Sequence, residues 1–298
     1  MKFWRQLLFL MLFMFAGFQL CLIPVAVMMF ASGNPTSPLV IHTSQWVQVL
    51  IAFILPAMLW GKFLLRPNAE LMPWRFRNNS WSDVARAYGF RNPGWRTMLW
   101  AALLVVVSLP AMDALTVSCY NLPYPEAIRN MITDQALEYY STITLVIGGN
   151  SVGAIIEAFL VICLMAGLSE EILFRGALQS LFRTETRLNI HWIALLVGLI
   201  FSLIHFDLSG FVPRMVMGMA FSYMVYYTGS IWPGILAHTL NNTISLVGLK
   251  MSEQDDVATL VESMSEYTFS WPLVAASALV TAGFWWVLIK KSSFFVKR

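Results

Sequence analysis

A chain of 298 residues that is 58% hydrophobic and 12% charged, with a mean hydropathy of +0.67, lacks the roughly 25% of charged residues that a soluble domain carries. The net charge of +3 is too small to mark a nucleic-acid surface, so no nucleic-acid partner is expected. Cys21, Cys119 and Cys163 lie in apolar runs with no CxxC spacing, so they predict neither a disulfide framework nor a cysteine metal site.

A helix crosses a bilayer with about 20 mostly apolar residues. About eight stretches meet that length: residues 7–31, 46–65, 97–119, 151–182, 189–206, 211–228, 231–249 and 270–289. The fold predicted is all-α, a polytopic transmembrane helical bundle forming a single integral membrane domain over residues 1–298. The first stretch follows Lys2 and Arg5 and is far longer than the ~7–15 apolar residues of a signal peptide, so it is expected to stay as a helix. Between the second and third, Lys62 to Arg96 interleaves Arg66, Arg75, Arg77, Arg86 and Arg91 with Trp74, Phe76, Trp81 and Tyr88. This segment is either a solvated basic loop or carries a short interfacial helix near Ser82–Tyr88, drawn to anionic headgroups. Residues 120–150 mix Pro123, Pro125 and acidic groups with an apolar end, Ile143–Ile147, which suits a re-entrant or surface helix.

Charge asymmetry sets the expected orientation. Lys2 and Arg5, the basic loop, Arg183 and Arg187, and the tail residues Lys290, Lys291, Lys297 and Arg298 all fall on one side of such a bundle. The opposite side holds Glu253, Asp255, Asp256, Glu262 and Glu266 against Lys250. Both termini are therefore expected in the cytoplasm, the inner membrane of a bacterium being the expected location.

The fourth stretch carries Glu170, Glu171 and Arg175 inside its apolar run. A charge at bilayer depth costs at least ~2.5 kcal/mol, which makes an ionisable group there a functional hypothesis. On a helix, residues four apart share a face while adjacent ones diverge, so Glu171 is expected to pair with Arg175 and Glu170 to point elsewhere. Phe201 and His205 share a face of the fifth stretch, and His238 and Asn242 a face of the seventh. At about 1.5 Å per residue all of these positions lie within the membrane, so helix packing can bring them into one cavity.

These three elements in this order, Glu-Glu-x-x-x-Arg, Phe-x-x-x-His and His-x-x-x-Asn, resemble the CAAX-protease and bacteriocin-processing family of membrane proteins, which includes the type II CAAX prenyl endopeptidases. The resemblance covers about residues 150–250, spans four to seven, which it marks as the catalytic core. It implies an intramembrane endopeptidase in which Glu170 and His205 activate a water, and His238 and Asn242 stabilise the oxyanion. Glu171, Arg175 and Phe201 support the site. The chemistry of these residue types agrees: a buried carboxylate can accept a proton from water, and His and Asn donors gain strength in a water-poor cavity. Asn241 adjoins Asn242, and only spacing selects the latter.

The implied partners are a membrane-associated protein or peptide substrate and the lipid bilayer; the sequence sets no oligomeric state. No cofactor is required. The rival enzymatic reading is a zinc protease with Glu170, His205 and His238 as ligands, although no HExxH is present. Ser169 lacks the glycine expected two residues after a nucleophile-elbow serine. The non-enzymatic alternative is a membrane scaffold or an immunity-type protein whose polar cluster serves helix packing.

Overall fold

The computed structural model describes residues 3–34, 37–65, 80–147, 151–251 and 267–290, with 259 and 262 between the last two ranges. Helix α1 (Phe3–Ser32) is followed by α2 (Pro38–Val47), which passes through a π-helical segment, Gln48–Ile54, into α3 (Leu55–Phe63). After α4 (Trp81–Tyr88), α5 (Trp95–Tyr120) and α6 (Glu126–Ile147) comes one long helical rod. The rod is built of α7 (Val152–Ala158), a π segment Phe159–Met165, α8 (Ala166–Glu171), a second π segment Ile172–Leu178 and α9 (Gln179–Glu185). Then come α10 (Ile190–Leu203), α11 (Phe211–Thr228), α12 (Trp232–Met251) and α13 (Trp271–Lys290).

Among the described residues five stretches are long and apolar enough to cross a membrane: Phe3–Ser32, Val40–Phe63, Trp95–Tyr120, Val152–Glu185 and Trp271–Lys290. Phe15, Phe30 and Leu279 leave 62%, 92% and 74% of their surface uncovered, in keeping with faces turned to lipid rather than water. The protein is a polytopic helical membrane protein.

Helices occupy all eight predicted stretches, but α10, α11 and α12 do not meet that test. Helix α10 has 14 residues, about 21 Å of rise against a hydrocarbon core of about 30 Å. Helices α11 and α12 have 18 and 20 residues, enough length, but polar groups dilute them. Arg214, Ser222 and Thr228 lie on the first, and His238, Thr239, Asn241, Asn242 and Thr243 on the second. Among the described residues five of the eight stretches are long apolar spans by length and composition, α10 is a shorter apolar helix, and α11 and α12 carry the polar groups.

Helix α4 forms where the sequence left either a solvated loop or a short interfacial helix, and it is docked into the bundle. Ser80 and Asp83 cap it reciprocally, with Asp83 N–H on Ser80 Oγ at 3.2 Å and Ser80 N–H on Asp83 Oδ2 at 3.1 Å. Its Val84 and Tyr88 are fully buried. The Tyr88 phenol donates to Ala57 O at 2.6 Å, its ring seated against Gly61 and Gly176, where any Cβ would collide with it. Ser180 Oγ donates to Ala87 O at 2.8 Å, Ile231 N–H to Gly89 O at 2.9 Å and Ser230 Oγ to Arg91 O at 2.6 Å. One short element thus ties α3, the rod and the α11–α12 turn together. Arg66, Trp74, Arg75, Phe76 and Arg77 of the basic segment lie outside the described residues, as do Lys2, Glu253, Asp255, Asp256, Glu266, Lys291, Lys297 and Arg298.

Residues 120–150 contribute α6, a helix of 22 residues. Its Val146 O accepts from His42 Nε2 at 2.9 Å, and His42 Nδ1 lies 2.7 Å from Glu157 Oε1, which joins α2, α6 and α7. At the far end of the bundle α13 docks on α5 at Pro110. There the Ser277 hydroxyl enters the backbone ladder, donating to Val107 O at 2.6 Å and accepting from Ala111 N–H at 3.2 Å. Helices α10 and α11 cross at Gly198 and Gly218; a Cβ on Gly218 would lie 2.8 Å from Gly198 Cα. The close crossing carries the α11 backbone toward the rod.

Candidate active site

The two glutamates end α8, between the two π segments of the rod. A π turn widens the helix and shifts the face that follows it, a distortion common at functional sites. The adjacent carboxylates diverge as expected. Glu171 is fully buried, and its Oε1 accepts from Arg175 Nη1 at 2.7 Å. Arg175 is 1% exposed and donates through Nη2 to Gly218 O at 2.9 Å. Its guanidinium packs against Phe174, Phe201 and Phe221, with ring centroids at 5.8, 4.9 and 5.3 Å. A buried charge is tolerable with a partner, hydrogen bonds and aromatic faces around it.

Glu170 points the other way and retains 18% side-chain exposure. Among the described residues its Oε2 has no hydrogen-bond partner, and it lies 3.8 Å from His238 Nε2 and 4.0 Å from His205 Nε2. These separations exceed a direct hydrogen bond, yet both imidazoles turn the same nitrogen to one oxygen. The opposite nitrogens fix why. His205 Nδ1 is 2.6 Å from Phe201 O, and a carbonyl only accepts, so Nδ1 carries the hydrogen. His238 Nδ1 is 3.1 Å from Glu171 Oε1, and a carboxylate paired to Arg175 also accepts. In the neutral imidazoles both Nε2 atoms are then acceptors. Three acceptor atoms converge, an arrangement that takes up a proton donor such as water.

Phe201 is 1% exposed and holds both histidines, with ring centroids 4.9 Å from His205 and 5.9 Å from His238. The Phe221 ring stacks on His238 at 5.2 Å and 27°. Sequence reasoning missed Phe221, since an apolar residue on α11 has no spacing relation to a histidine on α12.

Asn242 sits one turn beyond His238, and its Nδ2 donates to Ile162 O, on the rod, at 3.2 Å. An amide nitrogen has two hydrogens, so this bond uses one and orients the other. Asn241 lines a different, apolar cavity with Leu104, Met217, Phe221 and Trp285. Spacing therefore selected the asparagine that faces the glutamate-bearing helix. The expected pairing of His205 with the water and His238 with the oxyanion is not drawn by distance, because both histidines stand almost equally far from Glu170.

Just past His205, Phe206 adopts φ 50°, the only positive φ of a non-glycine among the described residues. Gln135 of α6 brackets this turn, donating to Phe206 O at 2.9 Å and accepting from Leu208 N–H at 3.3 Å. Asp207 meets Arg214 at 2.8 Å. Burial raises the Asp207 carboxyl, but the Arg214 hydrogen bond and charge, with Ser209 and Gly210, outweigh it and hold the group below the usual carboxylate range.

Residues 153–244 match the family described as Type II CAAX prenyl endopeptidase Rce1-like. The match runs from α7 into α12, the helices that hold the whole cluster, and leaves α1–α6 and α13 outside it. No curated protein and no solved structure matches the chain. Among the described residues no group of three His, Cys, Asp or Glu side chains is close enough together to stand as a preformed metal site.

Proposed function

We propose that the protein is an intramembrane endopeptidase that hydrolyses a peptide bond of a membrane-associated protein or peptide. The observation that carries the reading is the convergence of Glu170 Oε2 with the Nε2 atoms of His205 and His238, inside the segment that matches the Rce1-like family. A water held by these acceptors has its O–H bonds polarised, and Glu170 takes its proton as general base while His205 orients it. The oxygen attacks the scissile carbonyl carbon. The developing oxyanion faces the α12 side, where the second amide hydrogen of Asn242 stands as a donor and His238 becomes one once its Nε2 is protonated. The proton then passes to the leaving nitrogen as the C–N bond breaks.

Glu171, Arg175 and Phe201 hold this geometry without touching the substrate. The bacterial inner membrane, with both termini in the cytoplasm, is the location that the distribution of Lys and Arg favours. The test is to incubate purified protein with a detergent-solubilised membrane fraction and map new termini, adding synthetic peptides with and without a prenylated cysteine. Cleavage by the wild type that a Glu170→Gln variant lacks supports the reading. No new termini, or equal cleavage by both proteins, would leave the membrane-scaffold reading in its place. A chelator in a parallel sample tests zinc, and undiminished cleavage is expected.

A further inference from the structure

Glu171 Oε1 accepts two hydrogen bonds, one from Arg175 Nη1 at 2.7 Å and one from His238 Nδ1 at 3.1 Å. The second is not needed to neutralise the arginine, and it fixes which nitrogen of His238 faces Glu170. His238 is 4% exposed, with Phe221 stacked on one face and the Phe201 ring edge-on. The charged or titratable groups around it are Glu170, Glu171 and Arg175 from the rod and His205 from α10, while α11 presents Phe221. The imidazole is therefore spanned by carboxylates, one at each nitrogen.

We propose that Glu171 is a positioning residue for His238, locking its Nδ1–H and sustaining the imidazolium that forms when Nε2 takes up the proton of the attacking water. The proposal rests on the peptidase reading above. In the step, water loses a proton to Glu170 Oε2 and its oxygen bonds to the carbonyl carbon. The proton moves on to His238 Nε2, whose positive charge then lies against the oxyanion. When the intermediate collapses, the C–N electron pair goes to nitrogen and His238 returns the proton there. A carboxylate behind an imidazole plays this orienting and charge-stabilising part in serine-protease triads.

The backbone makes room for it. Glu171 Oε2 faces Gly234 of α12, where a Cβ would lie 2.8 Å from that oxygen. A larger residue at that position would push the carboxylate off its line to His238.

The decisive variant removes both charges of the ion pair, Glu171→Gln with Arg175→Met. If Glu171 served only Arg175, neutralising both would restore the fold and the turnover together. The positioning role predicts a folded double variant whose kcat is lower by roughly 10²–10⁴-fold with KM little changed. The assay uses a quenched synthetic peptide spanning a site mapped in the membrane fraction. Gly234→Ala, which keeps every charge, is the second probe and is expected to lose kcat in the same direction. Wild-type kcat in the double variant, or in Gly234→Ala should the double variant not fold, overturns the proposal. Full activity of Glu170→Gln would instead overturn the peptidase reading itself, so the two failures are distinct.

Discussion

His238 and His205 approach the same carboxylate oxygen from 3.8 and 4.0 Å, yet their surroundings differ. His238 lies inside the bundle, bonded to a buried carboxylate and stacked on Phe221. His205 lies where α10 gives way to a turn, with 29% of its side chain exposed and a backbone carbonyl as its Nδ1 partner. The buried side can store orientation and charge because neighbouring groups are fixed on every face. The turn side is more open: Phe206 is 84% exposed, and Gln135 of α6 is bonded to the turn on both sides. Catalysis in a membrane needs both, a dry half that is preorganised and a half that opens to an extended chain.

The sharpest way to break the buried half is the single variant Glu171→Gln, which leaves Arg175 and its burial uncompensated. A loss of about 3–5 kcal/mol is expected, read as a fall in the thermal midpoint of the purified protein in detergent. Next in size is the pair Asn242→Ala and Asn241→Ala. The first should lower kcat by roughly 10²–10³-fold with substrate affinity kept, because a donor to the oxyanion is lost. The second should be nearly neutral in kcat, since Asn241 faces the separate apolar cavity. The reverse pattern would mean that the α12 motif is in the other register.

A smaller effect is expected away from both histidines. Tyr88→Phe removes the donor to the buried Ala57 carbonyl and should cost about 1–3 kcal/mol while turnover per folded molecule is unchanged. The smallest concerns the turn after His205. The folded Asp207 carboxyl is held below its ordinary value, so its contribution is present above the unfolded pKa of about 3.9 and is lost as pH falls through the lower folded value. Between pH 5 and 8 the wild-type midpoint should not respond through this group. Below about pH 4 the difference between wild type and Asp207→Asn should shrink, and a difference that grows there would contradict the assignment.

Much of this was legible in the sequence because it depends on local spacing. The divergence of Glu170 from Glu171 and the Glu171–Arg175 pair follow from the helical period, and they survive the π segment that begins at Ile172. That Asn242 faces the rod follows in the same way. What spacing does not carry is contact between helices. The bond from His238 to Glu171, the Phe221 stack and the Gln135 bracket join residues 67, 17 and 71 positions apart, and their partners show no periodic signal. The docking of helix α4 was not legible for a related reason: its polar and aromatic residues suit a loop or an interfacial helix alike, and Tyr88 is received by two glycines on α3 and the rod. Length and composition alone single out five of the eight stretches, because α10 is short and polar groups on α11 and α12 lower their hydropathy.

The most direct measurement is turnover of the quenched peptide by wild type and Glu170→Gln, purified side by side in one detergent and matched for thermal midpoint. Glutamine keeps the shape of the side chain but cannot take the proton, and Glu170 has no ion-pair partner on its own helix whose loss would unfold the protein. Hydrolysis by the wild type and none above background by the variant is the predicted result. Comparable turnover by a folded Glu170→Gln protein would contradict the account.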